Sequence, residues 1–204
     1  MPAVLVPPGR LGRWVDNFVR RHGATSLAVA DGSLTGVADD GSDFSARLPF
    51  ATAYDGPPAV GPFLATATPP ATWGVLLVRK GGFAVARMSG EEIAEHKVGQ
   101  RHVQGRTKAG GQSQQRFARR RDNQARQAYE AAADHTARIL RAGPGHVPVV
   151  TGGDRQAVDE VLADDRLGGL EVVEPWLAVP DPRRAVLDRA LLDARAIRIK
   201  VRNA

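Results

Sequence analysis

The spacing of apolar positions changes period several times along the chain, and each change marks an element. Leu11, Trp14, Val15, Phe18 and Val19 fall at i, i+3, i+4, i+7 and i+8, which predicts an amphipathic helix from about Pro8 to His22, ended by Gly23. Over Ser26–Leu48 the pattern shortens to strand-like runs broken at Asp31-Gly32 and Asp40-Gly41. Such dipeptides tolerate positive φ, so this stretch reads as a β-meander. Trp73–Val78 and Phe83–Met88 are β-rich runs joined by Arg79-Lys80-Gly81-Gly82, a hairpin signal, and a third strand is expected near Ile93–Val98. Gly99–Gly111 is polar, basic and without period, as an exposed loop would be.

The helical period then returns. Phe117, Ala125, Ala128, Ala132, Thr136, Ile139 and Leu140 share one stripe that stops at Gly143-Pro144-Gly145. The helix it predicts has about 30 residues and a length of roughly 45 Å, arginine-studded in its first half and alanine-rich in its second. The last third alternates: a strand at Val147–Val150, a helix over about Asp154–Leu162, a strand near Leu170–Val173, a helix near Arg183–Ala194, and a closing strand through Ile197, Ile199 and Val201. The fold class is therefore α/β (α+β), a mixed β-sheet flanked by helices, with an exposed loop leading into a long basic helix. Five of the 14 prolines lie between Asp55 and Pro70, where no helix or central strand can run uninterrupted. A linker or boundary is expected there, dividing an N-terminal helix-and-meander subdomain (1–70) from a second domain (71–204).

Composition narrows the class. At 204 residues, 43% hydrophobic and 25% charged, the chain is an ordinary globular protein with one core or one core and an appended subdomain. The absence of cysteine removes disulfide scaffolds, thiol nucleophiles and cysteine zinc sites. Neither a signal-peptide pattern nor an apolar run approaching roughly 18 residues is present, so a soluble cytoplasmic protein is expected, with no membrane partner.

Charge adds a location. The net charge is +6, and the segment Gly105–Arg126 holds seven basic residues (Arg106, Lys108, Arg116, Arg119, Arg120, Arg121 and Arg126) against one acid, Asp122. Of 28 basic and 22 acidic residues in all, this leaves 21 of each for the remainder. One short segment carries the entire excess, the electrostatic footprint of a phosphate-rich partner, and its seven cations are the nucleic-acid-binding candidates.

At the tip of that segment stands Lys108-Ala109-Gly110-Gly111-Gln112-Ser113. Paired glycines let backbone N–H groups approach a ligand that a Cβ would block. Glutamine does not titrate; it can position a water, or hydrogen-bond an oxyanion or leaving group, while acid–base chemistry comes from elsewhere, such as RNA. Gly110-Gly111-Gln112-Ser113, then Arg116-Phe117-Ala118-Arg119 and Arg121, nine positions in order and spacing, resemble the GGQ-bearing middle domain of eukaryotic and archaeal class-1 peptide-chain release factors. The hairpin from Trp73 to Val85, Gly90-Glu91-Glu92-Ile93 and the downstream β–α alternation extend the likeness over about Trp73–Val201.

The resemblance implies a peptidyl-tRNA hydrolase acting in the peptidyl-transferase centre of the large ribosomal subunit. Gln112 would order the attacking water through its backbone amide and side chain, Gly110 and Gly111 would shape the loop, and Lys108 and the helix arginines would grip ribosomal RNA phosphates. The partners implied are large-subunit RNA and peptidyl-tRNA, with no cofactor. The chain departs from the release factors in its Arg101-His102 followed by a longer basic insertion, and it has no room for both a codon-reading and a partner-binding domain. The nearer likeness is to single-domain release-factor-like hydrolases of ribosome quality control, including an actinobacterial branch. The rival is a non-catalytic ribosome- or RNA-binding module that uses the same basic loop and helix only to dock.

Other motifs carry blander readings. Gly111-Gln112-Ser113-Gln114-Gln115 lacks the second glycine of a serine-hydrolase elbow, so Ser113 reads as a helix N-cap or first-turn residue. Thr151-Gly152-Gly153-Asp154 has neither Rossmann nor Walker spacing and reads as a turn with Asp154 as N-cap. His22, His96, His102, His135 and His146 show no metal-ligand spacing, and no metal is expected. The pairs Asp39-Asp40, Glu91-Glu92 and Asp164-Asp165 read as turns and solvated faces, and Trp14 and Phe18 as core.

Overall fold

The structure is a computed structural model that describes residues 3–100, 112–141 and 146–204, with side chains described throughout except at 100 and 112–125. The fold is α+β: two five-stranded sheets with five α-helices among the described residues. The chain divides into two compact units, one of residues 1–70, 173–175 and 191–204, the other of 71–172 and 176–190.

In the first unit the strands β1 (Ala3–Val6), β2 (Thr25–Ala30), β3 (Ser33–Ala38), β4 (Asp43–Arg47) and β10 (Ile197–Arg202) form a sheet in the order β1-β10-β4-β3-β2. All of its pairings are antiparallel. The helix predicted near the N-terminus is α1 (Leu11–His22), preceded by a 3-10 turn over Pro8–Arg10. Leu11, Val15 and Phe18 at its i, i+4 and i+7 positions are buried. Gly23, at φ 95°, closes it with an N–H to the Val19 carbonyl at 2.9 Å. Asp31 and Gly32 both take positive φ (48° and 68°), giving the two-residue hairpin that pairs Ala30 with Ser33. Gly36 faces Phe44 across the ladder, and a Cβ at residue 36 would lie 2.2 Å from that ring, so the missing side chain makes room for the largest residue of the sheet's core.

Two features of this unit differ from the sequence reading. The closing strand, read as part of a sheet built with the preceding β–α segments, instead lies between β1 and β4. Its alternation fixes which residues face inward but names no partner, and the short Ala3–Val6 run that it pairs with is too brief to announce itself. The proline-rich stretch read as a linker carries a short helix, α2 (Val60–Ala65), with Pro62 in its first turn, where no N–H partner is needed. Its Phe63 is fully buried against the edge of Tyr54, with centroids 5.0 Å apart.

In the second unit β5 (Thr72–Arg79), β6 (Gly82–Ser89), β7 (Glu92–Gln100), β8 (Val147–Gly153) and β9 (Leu170–Leu177) are ordered β7-β6-β5-β8-β9. The first three form an antiparallel meander with a bulge at Arg87/Met88, and β8 runs parallel to β5. The helices are α3 (Gln112–Leu140), α4 (Arg155–Leu162) and α5 (Arg184–Ala194). Leu76, Val78, Phe83 and Val85 of the sheet share one core cluster with Tyr129, Ala132, Ala133, Ile139 and Leu140 of α3 and with Ala157, Val158 and Val161 of α4.

Candidate functional site: the long helix and its seat

Of the residues singled out by sequence, Arg106, Lys108, Gly110 and Gly111 lie outside the described residues, as does His102. Gln112 is the first residue of α3 and Ser113 falls in its first turn. Arg116, Arg119, Arg120 and Arg121 belong to the same helix, their side chains outside the described set, and Arg126 is exposed. The helix described over Gln112–Leu140, 29 residues, contains the glutamine and five of the seven candidate cations.

Its C-terminal half is anchored on the sheet. Ala128, Tyr129, Ala132, Ala133, Thr136, Ile139 and Leu140 are buried, and they include the predicted stripe from Ala128 onward. Leu140 reaches into the space above Gly74, where a Cβ would come within 2.5 Å of its Cδ2. Thr136 spends its hydroxyl on the Ala132 carbonyl at 2.6 Å, which removes a buried donor without a tertiary partner. His135 stacks on Phe83, with centroids 5.6 Å apart. Burial, reinforced by Lys97 and Arg138 and opposed by Asp134, holds its pKa below the usual imidazole value. Burial, with Asp154 and Glu160 nearby, pushes the Tyr129 phenol up.

Polar ties hold the same half-helix at its edges. Arg87 of β6 donates from Nε to the Ile139 carbonyl at 3.0 Å, and Glu95 of β7 pairs with both Arg87 (3.9 Å) and Arg138. Arg166 bridges Asp134 of α3 and Asp164 with N–O distances of 2.7 Å each, while Arg141 donates to the Arg166 carbonyl at 2.5 Å. The Arg166 guanidinium and backbone N–H hold the Asp164 carboxyl down at about 2. Sequence reasoning did not find these ties. Glu95 and Arg138 are 43 positions apart, and only the pairing of β7 with β6 beneath α3 brings them together.

The remaining motifs resolve as structure. Asp154 caps α4, accepting from the Ala157 N–H at 3.4 Å, and its own N–H donates to the Val78 carbonyl at 2.8 Å. Gly152 and Gly153 press against backbone: a Cβ on Gly153 (φ 105°) would lie 2.2 Å from the Val78 oxygen, so these glycines serve strand packing and leave no cradle for a phosphate. His22 pairs with Asp40 at 2.8 Å and His96 with Arg184 at 2.8 Å, and His146 is exposed. Phe18 is core, but Trp14 is only half-buried. Among the described residues no group of three His, Asp or Glu side chains converges on a metal position, and no helix is long and apolar enough to cross a membrane.

The second unit is thus a mixed sheet that carries the long helix α3. A sequence model described as Actinobacteria/Chloroflexi VLRF1 release factor matches residues 71–200, and the chain belongs to that family. No curated protein matches it. Membership gives the chain a release-factor-like role in translation, for which the ribosome is the implied partner.

Proposed function

We propose that this protein hydrolyses the peptidyl-tRNA ester in the peptidyl-transferase centre of stalled large ribosomal subunits, without a stop codon, with Gln112 as the catalytic residue. The observation that carries the reading is the Gly110-Gly111-Gln112 sequence, with Gln112 in the long helix α3, in a chain of a release-factor family. In the reaction a water oxygen bonds to the ester carbonyl carbon, the bond from that carbon to the terminal ribose oxygen of the tRNA breaks, and the ribose oxygen leaves with a proton. An amide side chain neither takes nor gives that proton; its part is to hold the water in line and to stabilise charge as it develops. Arg106, Lys108, Arg116, Arg119, Arg120, Arg121 and Arg126 neutralise RNA phosphates around the site and fix the depth of entry.

The test is release of labelled peptide from isolated large-subunit peptidyl-tRNA complexes that contain no messenger RNA. Wild type should release the peptide and Gln112→Ala should not, while subunit binding changes less than twofold. Release that survives the substitution would remove Gln112 from the chemistry. Salt-sensitive binding without release by either protein would favour the docking module.

A further inference from the structure

We propose that the arginine flank of α1 and the two clefts beside Trp14 form a second RNA contact, which takes an unpaired stretch of RNA with its phosphates on Arg10, Arg13 and Arg21 and a base against Trp14. Arg10, Arg13, Asn17 and Arg21 are spaced three, four and four residues apart, a single helical stripe, with Trp14 on its flank. At about 100° per residue Asp16, the one acid of α1, falls on the opposite side of that stripe from Trp14. Arg10, Arg13 and Arg21 are exposed, and none of them forms an ion pair among the described residues. Arg20, the fourth arginine of this segment, is held by the Asn17 side chain.

The surface beside this stripe is concave. One cleft of about 440 Å³ is lined by Arg10, Arg13, Trp14 and Asn17 together with β1, and its neighbour of about 510 Å³ by Trp14, Asn17, Arg21 and His22 together with β1 and β10. Trp14 and Asn17 belong to both. Each volume lies in the range that small-molecule sites occupy. Trp14 rests on Phe18 and, edge-on, on Phe44 (5.7 and 5.2 Å between centroids), so the ring is held in place while the residue stays only partly buried. Asp40, beside this surface through His22, is committed to His22 and to the Ser42 N–H. A held aromatic surface between unpaired guanidinium groups fits single-stranded nucleic acid, whose bases stack while its phosphates meet the cations. It suits an acidic peptide less, since carboxylates would use the cations and leave the aromatic ring without a stacking partner.

The full-length chain carrying R119Q, R120Q and R121Q, which weakens the other basic segment, is titrated with a fluorescein-labelled 12-nucleotide single-stranded RNA, with and without R10Q, R13Q and R21Q. Loss of the α1 arginines should weaken binding about tenfold or more and reduce the salt slope by about 2, since each single-strand phosphate contact contributes about 0.7. RNA should also quench tryptophan fluorescence, and W14F should remove that quenching. Unchanged affinity and slope in the α1 variant would overturn the proposal. So would equal binding by an Asp/Glu-rich peptide of the same length, which would make the surface a protein dock, or equal binding by duplex RNA without quenching. The readout is binding rather than release, so the result stands whatever Gln112 proves to do.

Discussion

The contact between Gly74 and Leu140 makes the seating of α3 quantitatively testable. Leu140 is fully buried in the last turn of the helix, and the place a Cβ would take at residue 74 lies 2.5 Å from its Cδ2 and 3.2 Å from the Ala86 carbonyl oxygen. Leu140→Ala removes three buried carbons and leaves a void over β5, at a cost of about 3 kcal/mol. Gly74→Ala drives a methyl into Leu140, an overpacking cost of about 1–3 kcal/mol, offset by about 0.5–1 kcal/mol because alanine restricts the unfolded chain. In the double variant the new methyl enters the space that the leucine vacated. Its destabilisation should therefore fall about 1–2 kcal/mol short of the sum of the singles. Urea unfolding of all four proteins, followed by both far-ultraviolet circular dichroism and tryptophan fluorescence, gives the cycle. Additivity within about 0.5 kcal/mol would show that the two residues do not share that space, and the packing argument for the helix seat would fail.

Other consequences follow from single residues. Gly153→Ala combines a φ of 105° with a 2.2 Å approach to the Val78 oxygen, so it should destabilise by more than about 3 kcal/mol in the same urea assay, against about 1 kcal/mol for loss of the neighbouring cap in Asp154→Ala. His135 has a folded pKa below 6.5, so the unfolded chain takes up its proton first; stability should fall as pH drops from about 6.5 to the folded pKa and then level off, and His135→Gln should flatten that part of the curve. Asp164 is also depressed, and its contribution should persist above pH 3.8 and vanish as pH falls to about 2, a step that Arg166→Gln should remove. Replacing Arg119, Arg120 and Arg121 with glutamine should flatten the salt dependence of ribosome binding by roughly one unit per lost phosphate contact, and an unchanged slope would take them off the contact surface.

Much of this protein can be read in the order of its residues, wherever the signal is local. Period 3.6 over Leu11–Val19 and over Ala128–Leu140 placed α1 and the buried face of α3, because a helix has to bury its apolar stripe. Asp31-Gly32 and the Lys80-Gly81 connection placed two hairpins, because few residues accept the backbone those turns require. The concentration of arginine and the Gly-Gly-Gln are chemical signals that need no fold to be visible. Long-range choices were different. Nothing in Ile197–Arg202 says that it joins β1 and β4, since alternation specifies a strand's faces and leaves its neighbours open. Trp14 reads as core by spacing, yet it lines two clefts and is only partly buried. The clamp of Arg87, Glu95 and Arg138, and that of Arg166 on Asp134, join residues on separate elements that only packing brings within reach. The sequence by itself determined most of the elements and displayed the Gly-Gly-Gln and the arginine-rich segment. Tertiary structure decided which strands pair, what seats the long helix, and that Trp14 lines two clefts, because those depend on free energies summed over distant parts of the chain.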